Sequence, residues 1–260
     1  MKVDNKNNIL STNKLSVGYA NLELVKGINI NVSSGKLISI LGKNGSGKST
    51  LLRTLTQLQN PLKGSISFFG KEINEYKTNE LAPIFSLVLT EKIPENLLTV
   101  YEIISMGRHS YTNWLHQLSK KDQKIIDFAI EKTHINELLK KKLMLLSDGQ
   151  RQRVLLAKAI AQDTPLLFLD EPTAHLDIHH RMETFLLLKK LAHSFDKTII
   201  MATHEVGLST QLADEMWLLN NQLLEIGSPK ELITNKKIAK VFDSDLIRFN
   251  SKTSTFEFKK

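Results

Sequence analysis

Residues Gly42-Lys43-Asn44-Gly45-Ser46-Gly47-Lys48-Ser49-Thr50 follow the pattern Gly-x4-Gly-Lys-Ser. Glycines at 42, 45 and 47 allow a tight turn that aims several backbone N–H groups at an anion. A helix starting near Lys48 adds its positive dipole end. Lys48 has the reach to meet β- and γ-phosphates, and the Ser49 hydroxyl is a hard oxygen suited to Mg²⁺. The plainer alternative is a Gly-rich turn before a helix. The context favours the phosphate reading, because the loop lies between an apolar strand at 37–41 and a helical stretch at 51–58.

A second group, Leu166-Leu167-Phe168-Leu169-Asp170-Glu171-Pro172, is an apolar strand ending in two acids. In open α/β sheets ligands bind at the C-terminal ends of strands. There Asp170 would hold Mg²⁺, and Glu171 would polarise a water against a γ-phosphate. Taken alone, Asp-Glu-Pro reads equally well as a solvated turn. Between the two groups lies Leu146-Ser147-Asp148-Gly149-Gln150. Ser147 or Asp148 would cap a helix there, and the same helix start can receive an anion.

These residues need a frame. Strand-like pieces at 15–19, 37–41, 65–69 and 84–89 occupy the first part of the chain. Helical spacing marks 100–107, 121–132 and 150–161, the last with Val154, Leu155, Ala157, Ile160 and Ala161 on one stripe. Alternation then returns: strand 166–169, helix 178–192, strand Thr198–Ala202, helix Val206–Leu212, and strands 216–219 and 223–226. Strand–helix alternation with buried apolar strands predicts a mainly parallel sheet covered by helices, with a helical lobe inserted at about 95–160.

Composition narrows the class. With 260 residues, 41% apolar and 24% charged, the chain can bury a full core. No cysteine is present, so disulfides and thiolate metal sites are excluded. No apolar run is long enough to cross a bilayer, and MKVDNKNNIL lacks the apolar centre of a signal peptide. The net charge of +8 is uneven. Residues 101–160 hold eleven Lys/Arg against six Asp/Glu, whereas 161–230 hold five against ten. No aromatic–basic platform accompanies the excess, so nucleic acid is not the expected partner. His175, His179 and His180 lack a completing carboxylate spacing and read as surface residues rather than a zinc site. Lys140-Lys141-Lys142 reads as a solvated run.

At this point the chain resembles a known family, the nucleotide-binding subunits of ATP-binding-cassette (ABC) transporters, over about residues 10–230. Leu146–Gln150 is similar to that family's signature LSGGQ, with Asp148 in place of one Gly. Tyr19 matches the aromatic that stacks on adenine. Ala174-His175-Leu176-Asp177 resembles the D-loop, and His204 the switch histidine that contacts the γ-phosphate. The resemblance implies an α/β P-loop ATPase core with a mainly parallel sheet, N-terminal antiparallel strands and the inserted lobe. It implies ATP and Mg²⁺ as ligands, with Gly42 through Thr50 and Tyr19 binding ATP, Ser49 and Asp170 at the metal, and Glu171 and His204 catalytic. Two copies would face head to tail, each presenting Ser147, Asp148, Gly149 and Gln150 to the other's ATP. One departure stands out: where the family has a Gln at the lever to the lobe, this chain has Thr90, whose shorter hydroxyl can meet Mg²⁺ or water, with Glu91 beside it as the alternative metal-site residue.

A single cassette without membrane spans resembles an importer subunit. Val100 to Arg108, Tyr111-Thr112-Asn113-Trp114-Leu115 and Ala161-Gln162-Asp163-Thr164-Pro165 resemble importers of iron-siderophore complexes, haem and cobalamin. The implied setting is peripheral, on the cytoplasmic face of the inner membrane, with an integral permease and an external binding protein as direct and indirect partners. Two alternatives stay open: another cargo class such as lipid, and a nucleotide-gated module with incidental hydrolysis. The expected layout is a tail at 1–10, the nucleotide-binding domain at 11–230, and an appendage at 231–260 packed on the core.

Overall fold

The computed structural model describes residues 8–20, 22–89, 97–112 and 117–259. The chain order is β1 (Asn8–Tyr19), β2 (Leu22–Ile28), β3 (Asn31–Ser33), β4 (Leu37–Gly42), α1 (Lys48–Leu55), β5 (Lys63–Phe68), β6 (Lys71–Glu72), α2 (Thr78–Leu81) and β7 (Phe85–Val88). The lobe helices α3 (Val100–Ser105), α4 (Lys120–Lys132) and α5 (Asp148–Ala161) follow. The core resumes with β8 (Leu166–Asp170), α6 (Ile178–Phe195), β9 (Thr198–Ala202), α7 (Val206–Leu212), β10 (Glu215–Asn220) and β11 (Leu223–Gly227). The chain closes with α8 (Pro229–Thr234), α9 (Lys237–Phe242), β12 (Ile247–Asn250) and β13 (Thr255–Phe258).

The central sheet runs β11-β10-β4-β9-β8-β7. All its pairings are parallel except β10 with β11. Strand periodicity sorts its side chains between two cores. Ile38, Ile40, Leu166, Phe168, Ile200 and Ala202 face α1 and the antiparallel strands. Leu37, Leu167, Leu169, Ile199 and Met201 face α6 and the lobe. This two-sided burial explains the continuous apolar runs that the strands show in sequence. The second sheet, β2-β1-β5-β6 with β3 on β1, is antiparallel. Phe68 of that sheet meets Phe85 and Phe168 of the central one, with ring centroids 5.5 and 6.4 Å apart, so aromatic contacts join the layers.

Several boundaries differ from the sequence expectation. β1 begins at Asn8, inside the segment read as a tail, and Ile9 and Leu10 are buried. Its register shifts interrupt the alternation, which is why only its last residues looked strand-like. Helix α1 starts at Lys48 and ends at Leu55, three residues short of the expected end. Helix α6 runs to Phe195, where Asp196 takes the left-handed conformation that ends it. Residues after 228 form two short helices and a hairpin. Leu232, Ile238, Val241 and Phe249 pack there with Leu41, Met216 and Leu218 of the sheet.

One buried ion pair organises the lobe. Arg108 Nε donates to Asp122 Oδ1 at 2.8 Å, and its Nη1 donates to Ala161 O at 3.0 Å. Both side chains are buried, and the Ser119 hydroxyl helps hold the Asp122 carboxyl below its usual value. Removing one member strands the other's charge. Arg108→Ala is therefore expected to lower the unfolding free energy by about 3 kcal/mol in a urea titration. An unchanged midpoint would show that the pair holds nothing together.

Candidate functional site

The C-terminal ends of β4, β8 and β9 bring together residues from Gly42 to His204, 162 positions apart in sequence. Gly42 ends β4, and a Cβ built on it would lie 2.5 Å from Ser46 Oγ and 2.9 Å from Leu219 O. Only glycine fits where the loop turns back so closely. Gly47, at φ +99, passes directly into α1, again a conformation that favours glycine. Lys48 folds over the loop and donates from Nζ to Gly42 O at 3.0 Å and Lys43 O at 3.3 Å. Burial lowers its pKa, while Glu171 and then Asp170 pull it back up. Ser46 Oγ is buried without a protein partner. A buried hydroxyl in that state is poised for a ligand oxygen.

Ser49 Oγ donates to Asp170 Oδ1 at 3.0 Å. Thus the last residue of β8 and the second of α1 present two hard oxygens side by side. That pair fits a small cation such as Mg²⁺, which takes few protein ligands and completes its shell with water and phosphate. Tyr19, half exposed at the end of β1, accepts a hydrogen bond from Thr50 Oγ1 at 3.2 Å. Its ring therefore borders the same loop.

Glu171 has φ 49, a left-handed conformation that costs a non-glycine residue about 1 kcal/mol. The turn holds it there: its N–H donates to Ala202 O at 2.9 Å. Its carboxyl Oε1 lies 2.9 Å from His204 Nε2. Burial raises Glu171 to about 7, and the nearby Lys48 charge only partly offsets this. Burial also lowers His204, and the Lys48 charge adds to that effect. The imidazole is accordingly biased toward its neutral form.

Ser147 to Gln150 lie elsewhere, at the start of α5 in the lobe. Ser147 Oγ accepts from Gln150 N at 3.3 Å, and Gln150 Oε1 accepts from Ser147 N at 3.1 Å. This is a capping box. Asp148 pairs with Arg151 at 2.8 Å. A Cβ on Gly149 would lie 3.0 Å from His175 O, so the helix start is packed on the turn after β8. Asp177 caps α6, accepting from His180 N at 2.9 Å, and this bond holds its carboxyl below the usual value. Thr90 and Glu91 lie outside the described residues.

Two contributors escaped the sequence reading. Gln152 Nε2 donates to Glu171 O at 3.4 Å, tying the lobe helix to the turn. Its polar side chain in an otherwise apolar helix stripe was the available signal. Arg181 donates to Leu176 O and to Glu205 Oε1, both at 2.8 Å. Nothing local in the sequence marks that residue.

Comparison with known proteins agrees with this geometry. Residues 25–174 match the family model described as ABC transporter. The achromobactin transport ATP-binding protein CbrD of Dickeya dadantii is 35% identical, over 91% of this chain and 88% of that protein. The iron(3+)-hydroxamate import ATP-binding protein FhuC of Bacillus subtilis is 34% identical, over 92% and 89%. Among solved structures, cbiO1 of Clostridium perfringens, part of the transporter complex cbiONQ, superposes with TM-score 0.74 at 30% identity, over 90% of this chain and 94% of that one. The parallel core, the inserted lobe, the glycine loop and these likenesses agree: the chain belongs to the ABC transporter family, as an ATP-binding subunit.

Proposed function

We propose that the chain hydrolyses ATP to drive an importer of ferric siderophore complexes, haem or cobalamin. The observation that carries the hydrolytic reading is the meeting of Glu171, His204 and Lys48 at one strand edge, with Glu171 raised to about 7. A carboxyl near neutrality can take a proton from water at physiological pH. Glu171 acts as that base, and His204 Nε2 orients its carboxylate. Lys48 exchanges its contacts with Gly42 O and Lys43 O for the β- and γ-phosphates. The loop amides from Gly42 to Thr50 and the Ser46 hydroxyl cradle the same groups, and Tyr19 stacks on the base. Ser49 and Asp170 would hold Mg²⁺, which would supply positive charge to neutralise the phosphates.

The second half of the site comes from another copy. Ser147, Asp148, Gly149 and Gln150 stand at the positive end of α5, where an anion is favoured. In a head-to-tail pair they face the partner's ATP, with Asp177 beside the junction. ATP closes the pair and hydrolysis reopens it. Among the described residues no helix is long and apolar enough to cross a membrane. Membership of the ABC transporter family supports a separate integral permease that carries the cargo. The subunit attaches to it at the cytoplasmic face of the inner membrane, and an external binding protein delivers cargo to the permease. The names of the relatives support the siderophore part of the cargo class: CbrD is named for achromobactin and FhuC for iron(3+)-hydroxamate.

Co-purification from solubilised membranes identifies the permease, and vesicles rebuilt from the pair measure the cargo. Accumulation of a ferric siderophore, haem or cobalamin with MgATP is expected. ATP-dependent lipid movement without such uptake would contradict the cargo assignment.

A further inference from the structure

The contacts around the turn after β8 close into a ring. Glu171 Oε1 lies 2.9 Å from His204 Nε2. Glu205 follows His204, and its N–H donates to Thr203 Oγ1 at 3.1 Å, which fixes the backbone of that loop. Glu205 Oε1 then accepts from Arg181 Nη1 at 2.8 Å. Arg181 Nε donates to Leu176 O at 2.8 Å. Leu176 sits in the turn that began at Glu171: Ala174 N donates to Glu171 O at 3.0 Å, and Leu176 N to Thr173 O at 3.3 Å.

We propose that Arg181 is a positioning residue for hydrolysis, clamping the 171–177 turn to the loop that carries His204. This rests on the hydrolytic reading above. Arg181 lies in the first turn of α6, where its own N–H donates to Asp177 O at 3.0 Å, so its starting point is rigid. The guanidinium is planar and offers donors in two directions at once. A lysine offers its donors from a single nitrogen and cannot reproduce the two separated bonds that Nε and Nη1 make. Arg181 and Glu205 keep 40% and 27% of their side-chain surface. Ion pairs that exposed contribute little to folding, so the role of this pair is geometric. Without it, the described links between the two segments are the Glu171–His204 contact and the Glu171 N–H bond to Ala202 O, and the parts of each loop beyond those bonds can drift. The clamp also joins the turn bearing Asp177, which the head-to-tail arrangement places at the second copy, to the histidine of the same chain.

Arg181→Ala, Arg181→Lys and Glu205→Ala test this in the full chain. In Arg181→Ala and Glu205→Ala, kcat for MgATP is expected to fall about tenfold, with KM changed by less than about twofold, since misplacement acts on the reacting geometry. The lysine variant falls between wild type and alanine, and thermal midpoints stay at the wild-type value. Hydrogen exchange gives an independent reading. Glu205→Ala should speed amide exchange in 173–177, and Arg181→Ala should speed it in 203–207. Wild-type kcat in the alanine variant overturns the proposal. So does a loss that lies wholly in KM, or exchange that changes only in the segment holding the substitution. A wild-type chain that does not turn over MgATP overturns the reading of the site and this clamp with it. An active wild type with unaffected variants overturns the clamp alone.

Discussion

Glu171→Gln is expected to bind ATP with wild-type affinity and to release phosphate about a thousandfold more slowly. The amide nearly matches the carboxyl in shape, so the turn persists: the Glu171 N–H still reaches Ala202 O and Pro172 still follows. What disappears is the proton acceptor. Burial holds the Glu171 carboxyl at about 7, close to the value a general base needs at neutral pH. Asp170, whose carboxylate already accepts from Ser49, is assigned to the metal position in the proposed site. It cannot substitute as base. Single-turnover phosphate release beside equilibrium binding of a fluorescent ATP analogue separates the two effects. Parental turnover in the glutamine variant would mean that another group takes the proton.

Lys48→Ala should act on binding instead. A charged hydrogen bond to phosphate is worth about 2 kcal/mol, or about 30-fold in Kd. The side chain is buried and poised over the loop carbonyls, so its transfer to a phosphate needs only a short swing. The smaller residue leaves the glycine turns untouched, because Gly45 and Gly47 owe their shape to positive φ and not to the lysine. Isothermal titration with MgATP gives the answer. An unchanged Kd would remove the phosphate role from this loop.

The parts of the site that were legible in sequence are the contiguous ones. Gly42 through Thr50 fold as one strand–turn–helix, so type and spacing carry the geometry. The apolar run of β8 likewise placed Asp170 and Glu171 at a strand end. The meeting of Glu171 with His204 was reached only through family resemblance, since no local pattern joins positions 33 residues apart. The Arg181 bond to Glu205 spans 24 residues and depends on how α6 and α7 pack. It was invisible for that reason. The left-handed backbone of Glu171 was equally hidden, because glutamate does not advertise positive φ as glycine does. In the fold, parallel strands buried on both faces were easy to read. β1 was not, since its register shifts break the period-two pattern.

The charge imbalance takes on a spatial meaning in this frame. The basic stretch, 101–160, contains the lobe and the start of α5. The acidic stretch, 161–230, contains Asp170, Glu171 and Asp177. In the proposed head-to-tail pair each copy's lobe would lie opposite the other's acidic strand ends, where bound nucleotide would add further negative charge. Such complementarity favours encounter in the productive orientation.

In the proposed mechanism one working site needs two copies of the chain. Sedimentation of the Glu171→Gln variant with saturating MgATP measures this directly, because ATP is held but not consumed. The expected result is a species of twice the chain mass that reverts to monomer when nucleotide is removed. A monomer with ATP bound at saturation would contradict it.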